Sequence, residues 1–434
     1  MSSTELQFGF KHDRSTAMCT MILKEVVSFY VKNNSNIRCI FLDATKAFDR
    51  VEYGKLFRLL MARAVPRHII RLLLNMYIGQ QARVSWNGIF SDTFRVLNGV
   101  KQGGIISPVL FCIYFDVLLS RLREANTGCH LRQWFVGALA YADDIIILAQ
   151  VAPTANAARR MLDTCDVFAS EYCVQFNASK SKCIHFHTGK SSRSMQVNTE
   201  FSIGGNKIEN VSSWKHLGHI ISSDCDDSKD IQSRCRTLSG QINNVVCSFS
   251  TLDSITKNRL FASYCSSFYG CELWDLSNKE LEKFCITWRK GARRIWTLPP
   301  DAHSDLVYYI TNSPPIFDEL CRRVYNFVNS CLNCSSNLVR SVVMRGIAFE
   351  RCGSPVGRNA AFCGQRFRHE ARDMQSGKLR QSSLRGRFLS GLPDDVLCRA
   401  SCLMEALSVR DGALHAQGFS RRDIQLIVDE LSRS

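Results

Sequence analysis

The sequence predicts an α+β fold in which helices back an antiparallel sheet. Helical and strand-like patterns alternate through the first 190 residues. Asn87-Gly88, a pair that tolerates positive φ, stands between two strand-like stretches and marks a hairpin turn. Tyr141-Ala142-Asp143-Asp144 interrupts an apolar run, Val136 to Ala140 before it and Ile145 to Leu148 after it. That pattern reads as a buried strand or a tight hairpin of two strands.

Taken in order, Ala17 to Val31 carries Met18, Met21, Ile22, Val26 and Phe29 at helical spacing. Ile37 to Leu42 reads as a buried strand running into Asp43. Tyr53 to Ala64 and Pro66 to Tyr77 are expected helices, the second with proline near its start, where its missing N–H is unneeded. Ala82 to Trp86 and Phe90 to Val96 flank the Asn87-Gly88 turn, and Ser107 to Arg123 is a mostly buried helix entered through Ser-Pro. After the acidic pair, Ala155, Ala158, Leu162, Cys165, Ala169 and Tyr172 form one helix face. Helices alternating with hairpins in this order back an antiparallel sheet.

Further along, Lys190 to Asn198 is Ser-rich and reads as a loop. Phe201 to Ile221 has short strand signals with Gly204-Gly205 as a turn. From Ser228 to about Thr297 the pattern is helical, and Pro299-Pro300 and Pro314-Pro315 interrupt the helices that follow. The expected divisions are therefore 1–190, 191–225, 226–300 and a helical, basic 301–434.

The 434 residues are 45% hydrophobic and 22% charged, ordinary globular material for two to three domains. A net charge of +16 suits a polyanionic partner such as nucleic acid. An anionic membrane surface is the alternative, with no clearly amphipathic basic helix to support it. Between Gly364 and Leu389, Arg366, Arg368, Arg372, Lys378, Arg380, Arg385 and Arg387 face only Glu370 and Asp373, a phosphate contact or a solvated basic segment. The longest apolar stretch, Ile105 to Leu119, holds Pro108 and Asp116 and is too short to span a bilayer, so no membrane partner is expected. Met1 to Gln7 lacks a secretory apolar region, and the 20 cysteines are scattered, which points to reduced thiols inside the cell. Cys331, Cys334, Cys352, Cys363 and His369 fit no zinc spacing well and are expected as core thiols. Nucleus and cytoplasm are both compatible with scattered basic clusters such as Arg289-Lys290 and Arg293-Arg294.

The chemistry concentrates in carboxylates. A buried Asp143-Asp144 pair without partners is costly, because like charges and desolvation each disfavour ionisation. A bound divalent cation would resolve that cost; an acidic turn at a hairpin tip is the plainer reading. Asp43, at the end of a strand, could join the pair if the two strands end side by side. Three carboxylates there would hold Mg²⁺, and two such ions about 4 Å apart would serve an in-line phosphoryl displacement. For Asp43 the alternative is a helix N-cap, which Thr45 or Asp49 would serve equally. Gly99-Val100-Lys101-Gln102-Gly103-Gly104, leading into Ser107-Pro108, allows close backbone approach to a ligand, although alone it is an ordinary loop-to-helix junction.

The ordered set resembles a reverse transcriptase, and more closely those of non-LTR (LINE-type) retrotransposons. The matching segments are Gln7-Phe8-Gly9-Phe10-Lys11 with Arg14-Ser15-Thr16, Phe41 to Asp49, Gly99 to Pro108, Tyr141 to Asp144, Asn177 to Lys182, and Trp214 to Gly218. They cover roughly residues 5 to 225, and Arg293 to Pro299 resembles the thumb-like region of the same elements.

The resemblance implies a right-hand polymerase: partial fingers and palm over 1–190, a primer-grip-like segment over 191–225, and a helical thumb-like region over 226–300. It implies RNA-directed DNA polymerisation, with an RNA template, a DNA primer, dNTP and two Mg²⁺ ions, Mn²⁺ being a possible substitute. Asp43, Asp143 and Asp144 would be the metal ligands. Phe48 would lie under the deoxyribose and exclude a 2′-hydroxyl, which argues against an RNA-dependent RNA polymerase. Ala44, Thr45, Lys46 and Ala47 would lie along the triphosphate, and Gln102 and Gly103 would contact nucleotide and template. Lys180 matches the lysine near the leaving pyrophosphate, with Lys182 a competitor. Trp214, Lys215, His216, Leu217 and Gly218 would form the primer grip, or else a structural turn with Leu217 in the core. Gly104 stands where the family often has a larger residue. Little fingers sequence precedes Gln7 and no endonuclease does, so an amino-terminally truncated, inactive remnant that only binds nucleic acid is the alternative.

Overall fold

A computed structural model describes residues 4–151, 156–188, 200–266, 268–348, 353–368 and 378–412. Its contacts divide the chain into two units. The first comprises Met1–Leu217, Ile221–Cys225 and Asn333–Ser354; the second comprises Gly218–Ile220, Asp226–Leu332 and Pro355–Ser434.

In the first unit, α1 (Thr16–Lys32) starts where Ser15 accepts a hydrogen bond from the Met18 N–H at 3.2 Å. Of the residues expected at helical spacing it buries Met18, Met21, Ile22 and Val26, while Phe29 is half-buried. β1 (Ile37–Leu42) is buried along its whole length. Helices α2 (Tyr53–Ala62) and α3 (Arg67–Tyr77) follow, with Pro66 just ahead of the second. The hairpin expected around Asn87-Gly88 forms in short pieces: β2 (Gln81–Ala82) pairs with β5 (Phe94–Arg95), and β3 (Ser85–Trp86) with β4 (Ile89–Phe90). The turn chemistry works as read, with φ of 48° and 80° at Asn87 and Gly88. The strands stay short because they are largely exposed, and no core face fixes a longer ladder.

Helix α4 (Ser107–Glu124) is entered through Pro108 and is mostly buried. The small pair β6 (His130–Leu131) and β7 (Trp134–Phe135) leads to β8 (Ala138–Tyr141) and β9 (Asp144–Gln150). Then come α5 (Ala157–Glu171), β10 (Lys182–Phe186), β11 (Phe201–Ile203), β12 (Asn206–Asn210) and β13 (Ser213–His216). The main sheet has the order β11-β12-β10-β1-β9-β8. Its pairs are antiparallel except β10–β12, which is parallel. That exception departs from the all-antiparallel reading, because the β11–β12 hairpin docks through its second strand. Behind the sheet, Phe111 and Phe115 of α4 and Phe168 of α5 form an aromatic layer with centroid spacings of 4.6 and 5.8 Å. The expected helix face holds at Ala158, Leu162 and Cys165, all buried. Ala155, and the loop expected over Lys190 to Asn198, lie outside the described residues.

The second unit is helical, with Ser228–Ser248, Glu280–Trp296, Ile316–Leu332 and Pro355–Arg366 among its helices. Trp274, Phe284 and Trp288 are fully buried in its core. Asp230 is buried there too and accepts from Trp274 Nε1 at 2.8 Å and from the Ile220 N–H at 2.9 Å. His219 Nδ1 lies 3.1 Å from the same carboxylate. Two arginines of the basic segment, Arg366 exposed and Arg387 half-buried, reach a buried carboxylate. Asp318 accepts from Arg366 Nε at 2.6 Å and from Arg387 Nη2 at 3.0 Å. Arg372, Glu370 and Asp373 lie outside the described residues.

The described cysteines are free thiols; Cys331, Cys334 and Cys363 are buried, while Cys352 and His369 lie outside the described residues. No described helix is long and apolar enough to cross a membrane.

Candidate active site

Asp43 directly follows β1, and Asp144 opens β9. These strands pair antiparallel with Leu42 opposite Ile145, so one further step sets Asp43 level with Asp144. Across the β8–β9 hairpin Tyr141 pairs with Asp144, leaving Ala142 and Asp143 as the two-residue turn. Both readings of the acidic pair therefore meet in one place: it is a hairpin tip, and it stands beside a third carboxylate. Burial pushes the Asp144 carboxyl up to about 6, and the charges of Asp143 and Asp43 add to the shift. Burial raises Asp143 as well, opposed by a hydrogen bond from its own backbone and reinforced by Asp43. Among the described residues, no three His, Cys, Asp or Glu side chains are grouped closely enough to hold a metal ion as they stand.

The backbone at Asp43 is braced by a segment far along the chain. Its N–H donates to Ser181 Oγ at 3.2 Å, and its carbonyl accepts from the Asn177 N–H at 2.8 Å. Thr45 N–H donates to the Gln175 carbonyl at 2.8 Å, and Ala44 bridges to Phe176. The capping alternative does not hold for Asp43, nor for Thr45 or Asp49: α2 starts after Glu52, with no side-chain cap. Within the bracing segment Asn177 Oδ1 accepts from the N–H groups of Ser179 and Lys180 at 3.0 and 3.3 Å, forming an Asx turn. Lys180 is exposed. Lys182 is engaged elsewhere, 2.8 Å from Glu209 and with its ammonium 5.6 Å from the centre of the Trp214 ring.

After Thr45 the chain passes through Lys46, exposed at φ 47°, and buried Ala47 to half-buried Phe48. The Phe48 ring stacks on Phe111. The glycine loop is tied to the same turn. Val100 N–H donates to the Phe48 carbonyl at 2.9 Å, and Gln102 Nε2 donates to Asp49 Oδ1 at 3.2 Å. Gly99 has φ 90°, and a Cβ there would lie 2.9 Å from the Asp49 Cα, so this contact needs glycine. Gly103, also at positive φ, faces open space, and Gln102 is exposed.

In the Trp214 to Gly218 segment, His216 is the buried residue, 4.9 Å from the Phe41 ring, and Leu217 is only half-buried. That reverses the expectation of a core Leu217. Leu217 and Gly218 both take left-handed backbone, at φ 47° and 78°, so Leu217 leaves the strand alternation that buries His216. Lys215 is exposed and Trp214 half-buried.

Residues 1–221 match the family model for reverse transcriptase (RNA-dependent DNA polymerase). The chain belongs to the reverse transcriptase family. Similar proteins include the Pol polyprotein of the type-2 retrotransposable element R2DM of Drosophila melanogaster, 26% identical over 205 residues, which are 45% of this chain and 19% of that protein. The RNA-directed DNA polymerase from mobile element jockey of Drosophila funebris is 23% identical over 367 residues, 82% of this chain and 38% of that protein. The reverse transcriptase chain thus spans less than two fifths of the length of these relatives. Among solved structures, apo telomerase from Candida tropicalis aligns with a TM-score of 0.38 at 13% identity, over 89% of this chain and 57% of that one.

Proposed function

We propose that this chain catalyses RNA-directed DNA synthesis, adding dNMP to the 3′-hydroxyl of a DNA primer on an RNA template. The observation that carries the reading is the register of β1 on β9, which sets Asp43 level with Asp144 in a chain of the reverse transcriptase family. The relatives come from retrotransposable and mobile elements, where copying into a chromosome would require entry to the nucleus.

The donor set fits a divalent cation. Burial and mutual repulsion push the Asp143 and Asp144 carboxyls up, so a nearby double positive charge would relieve a real cost. Mg²⁺ takes a few carboxylates and completes its shell with water and substrate phosphates, so it asks less of the protein than an all-protein cage would. Asp43, Asp143 and Asp144 would hold two Mg²⁺ ions, with Mn²⁺ as a substitute. Bound there, the metal would supply Lewis-acid stabilisation of the phosphoryl oxygens and a more acidic primer hydroxyl.

The remaining work falls to the chain's own residues and is mainly positioning. Phe48, held against Phe111, would lie under the deoxyribose and select dNTP over NTP. The backbone of Ala44, Thr45, Lys46 and Ala47 would run along the triphosphate, with Gln102 and Gly103 beside the incoming nucleotide and template. The exposed ammonium of Lys180, on its Asx turn, would meet the charge developing on pyrophosphate. Trp214 to Gly218 would steady the primer end.

Primer extension on an RNA template with dNTP and Mg²⁺ or Mn²⁺ tests this. Product should form, chelation should stop it, and Asp143→Asn should abolish it. Retained duplex binding without product under either metal would leave only a nucleic-acid-binding role. Persistence of full activity in Asp143→Asn would remove the metal assignment.

A further inference from the structure

Ala142 is the left-handed residue of the acidic turn, at φ 58°. An alanine rarely holds that conformation unless its surroundings over-determine it, and such strain tends to be stored at functional sites. One side chain holds both of its backbone polar groups. Gln7 is completely buried, and its Oε1 accepts from the Ala142 N–H at 3.0 Å while its Nε2 donates to the Ala142 carbonyl at 3.3 Å. Both backbone polar groups of the strained residue are thus held by a single amide from 135 residues away.

The amide is itself fixed. Gln7 Oε1 also accepts from the Gly9 N–H at 2.9 Å, closing a small loop around its own carboxamide. The Phe8 N–H donates to the Ala140 carbonyl at 2.7 Å, and the Ala140 N–H donates to the Leu6 carbonyl at 2.9 Å. Gly9 comes so close that a Cβ there would lie 2.4 Å from the Ala142 nitrogen. The Gly9 carbonyl accepts from Cys112 Sγ at 3.5 Å, which ties the segment to α4.

We propose that Gln7 is a positioning residue: its carboxamide clamps the left-handed Ala142 turn and so sets where the Asp143 and Asp144 carboxylates point. This rests on the polymerase reading above for its catalytic consequence, but the clamp has its own readout. Small misplacements of reacting groups are expensive, of order a hundredfold in rate for about 1 Å. A buried amide in a hydrogen bond is also protected from hydrogen exchange.

Gln7→Met keeps the volume and removes all three bonds. It should speed exchange at the Ala142 amide, lower kcat for dNMP addition by about tenfold or more, and leave the dNTP KM within about threefold. Ala142→Gly, which takes positive φ without penalty, should restore part of the kcat lost in Gln7→Met, a rescue that a purely space-filling Gln7 would not show. Unchanged exchange at Ala142, an effect on KM alone, or no rescue by Ala142→Gly overturns the clamp. Should Gln7→Met not fold, Gly9→Ala decides, since its methyl presses on the Ala142 nitrogen; a loss of kcat at constant KM supports the clamp, and normal kcat overturns it. If the parent chain extends no primer, the polymerase reading fails by itself and the exchange comparison alone judges the clamp.

Discussion

Phe48 lies face to face on Phe111, with ring centroids 4.3 Å apart and planes 6° from parallel. Phe111 is fully buried on α4, so the ring proposed to sense the sugar rests on the core rather than on a mobile loop. Phe48→Ala should raise the use of NTP relative to dNTP by about 10–100-fold in competitive primer extension. Phe111→Leu should shift discrimination the same way by less and cost about 1–3 kcal/mol of stability. Unchanged discrimination in Phe111→Leu would mean that the stack does not place Phe48.

His216 offers a pH test in the first unit. Burial pushes its imidazole down from the ordinary 6.5 to about 4, and Nε2 has no hydrogen-bond partner among the described residues. With the folded value below the unfolded one, the unfolded chain takes up the proton first. The contribution is therefore complete above pH 6.5 and lost as pH falls toward about 4, on the order of 3 kcal/mol at most. His216→Phe keeps a ring against Phe41 and should flatten the acid limb of a Tm-versus-pH series in that window. An acid limb as steep as the parent's would count against the burial argument.

Asp230 is the node of the second unit, shared by Trp274, the Ile220 N–H and His219. Those partners hold its carboxyl below the usual carboxylate range against the opposing effect of burial. Asp230→Ala would strand a buried indole N–H and a backbone N–H, and should cost about 3–5 kcal/mol by denaturant melting. Asp230→Asn retains an acceptor and should cost clearly less. Equal losses would show that charge, not hydrogen bonding, matters there.

The parts of the fold that were legible in the sequence are those with strong local signals. Five apolar residues and Arg38, running into an acid, marked β1 to the residue, Ser-Pro marked the entry to α4, and Asn87-Gly88 marked a turn. The acidic residues stood out because charge in an apolar run is rare. What was hidden depends on distance along the chain. Gln7 looks like any amide until Ala142 is placed beside it, and Asp318 pairs with both Arg366 and Arg387 from 48 and 69 residues away. The Asn177 turn carried a readable Asx signal, Asn-x-Ser, but not its role in bracing the backbone of Asp43. The turn read at Leu217 is there, but its positive φ takes the side chain out of the alternation that buries His216, which no local signal showed.

The β8 strand ends the sheet, yet its outer side is not bare, because Leu6 and Phe8 bond to Ala140 there. An apolar strand with an open edge is a template on which another chain can add itself. A polypeptide cut after residue 8 would expose such a template along Ala138–Tyr141, four apolar or half-buried residues with no charge among them. Its first failure should be self-association in solution, with the helices still formed. Fragments of this protein intended for study therefore need the stretch from Leu6 to Phe8 as a guard against aggregation, whatever their activity.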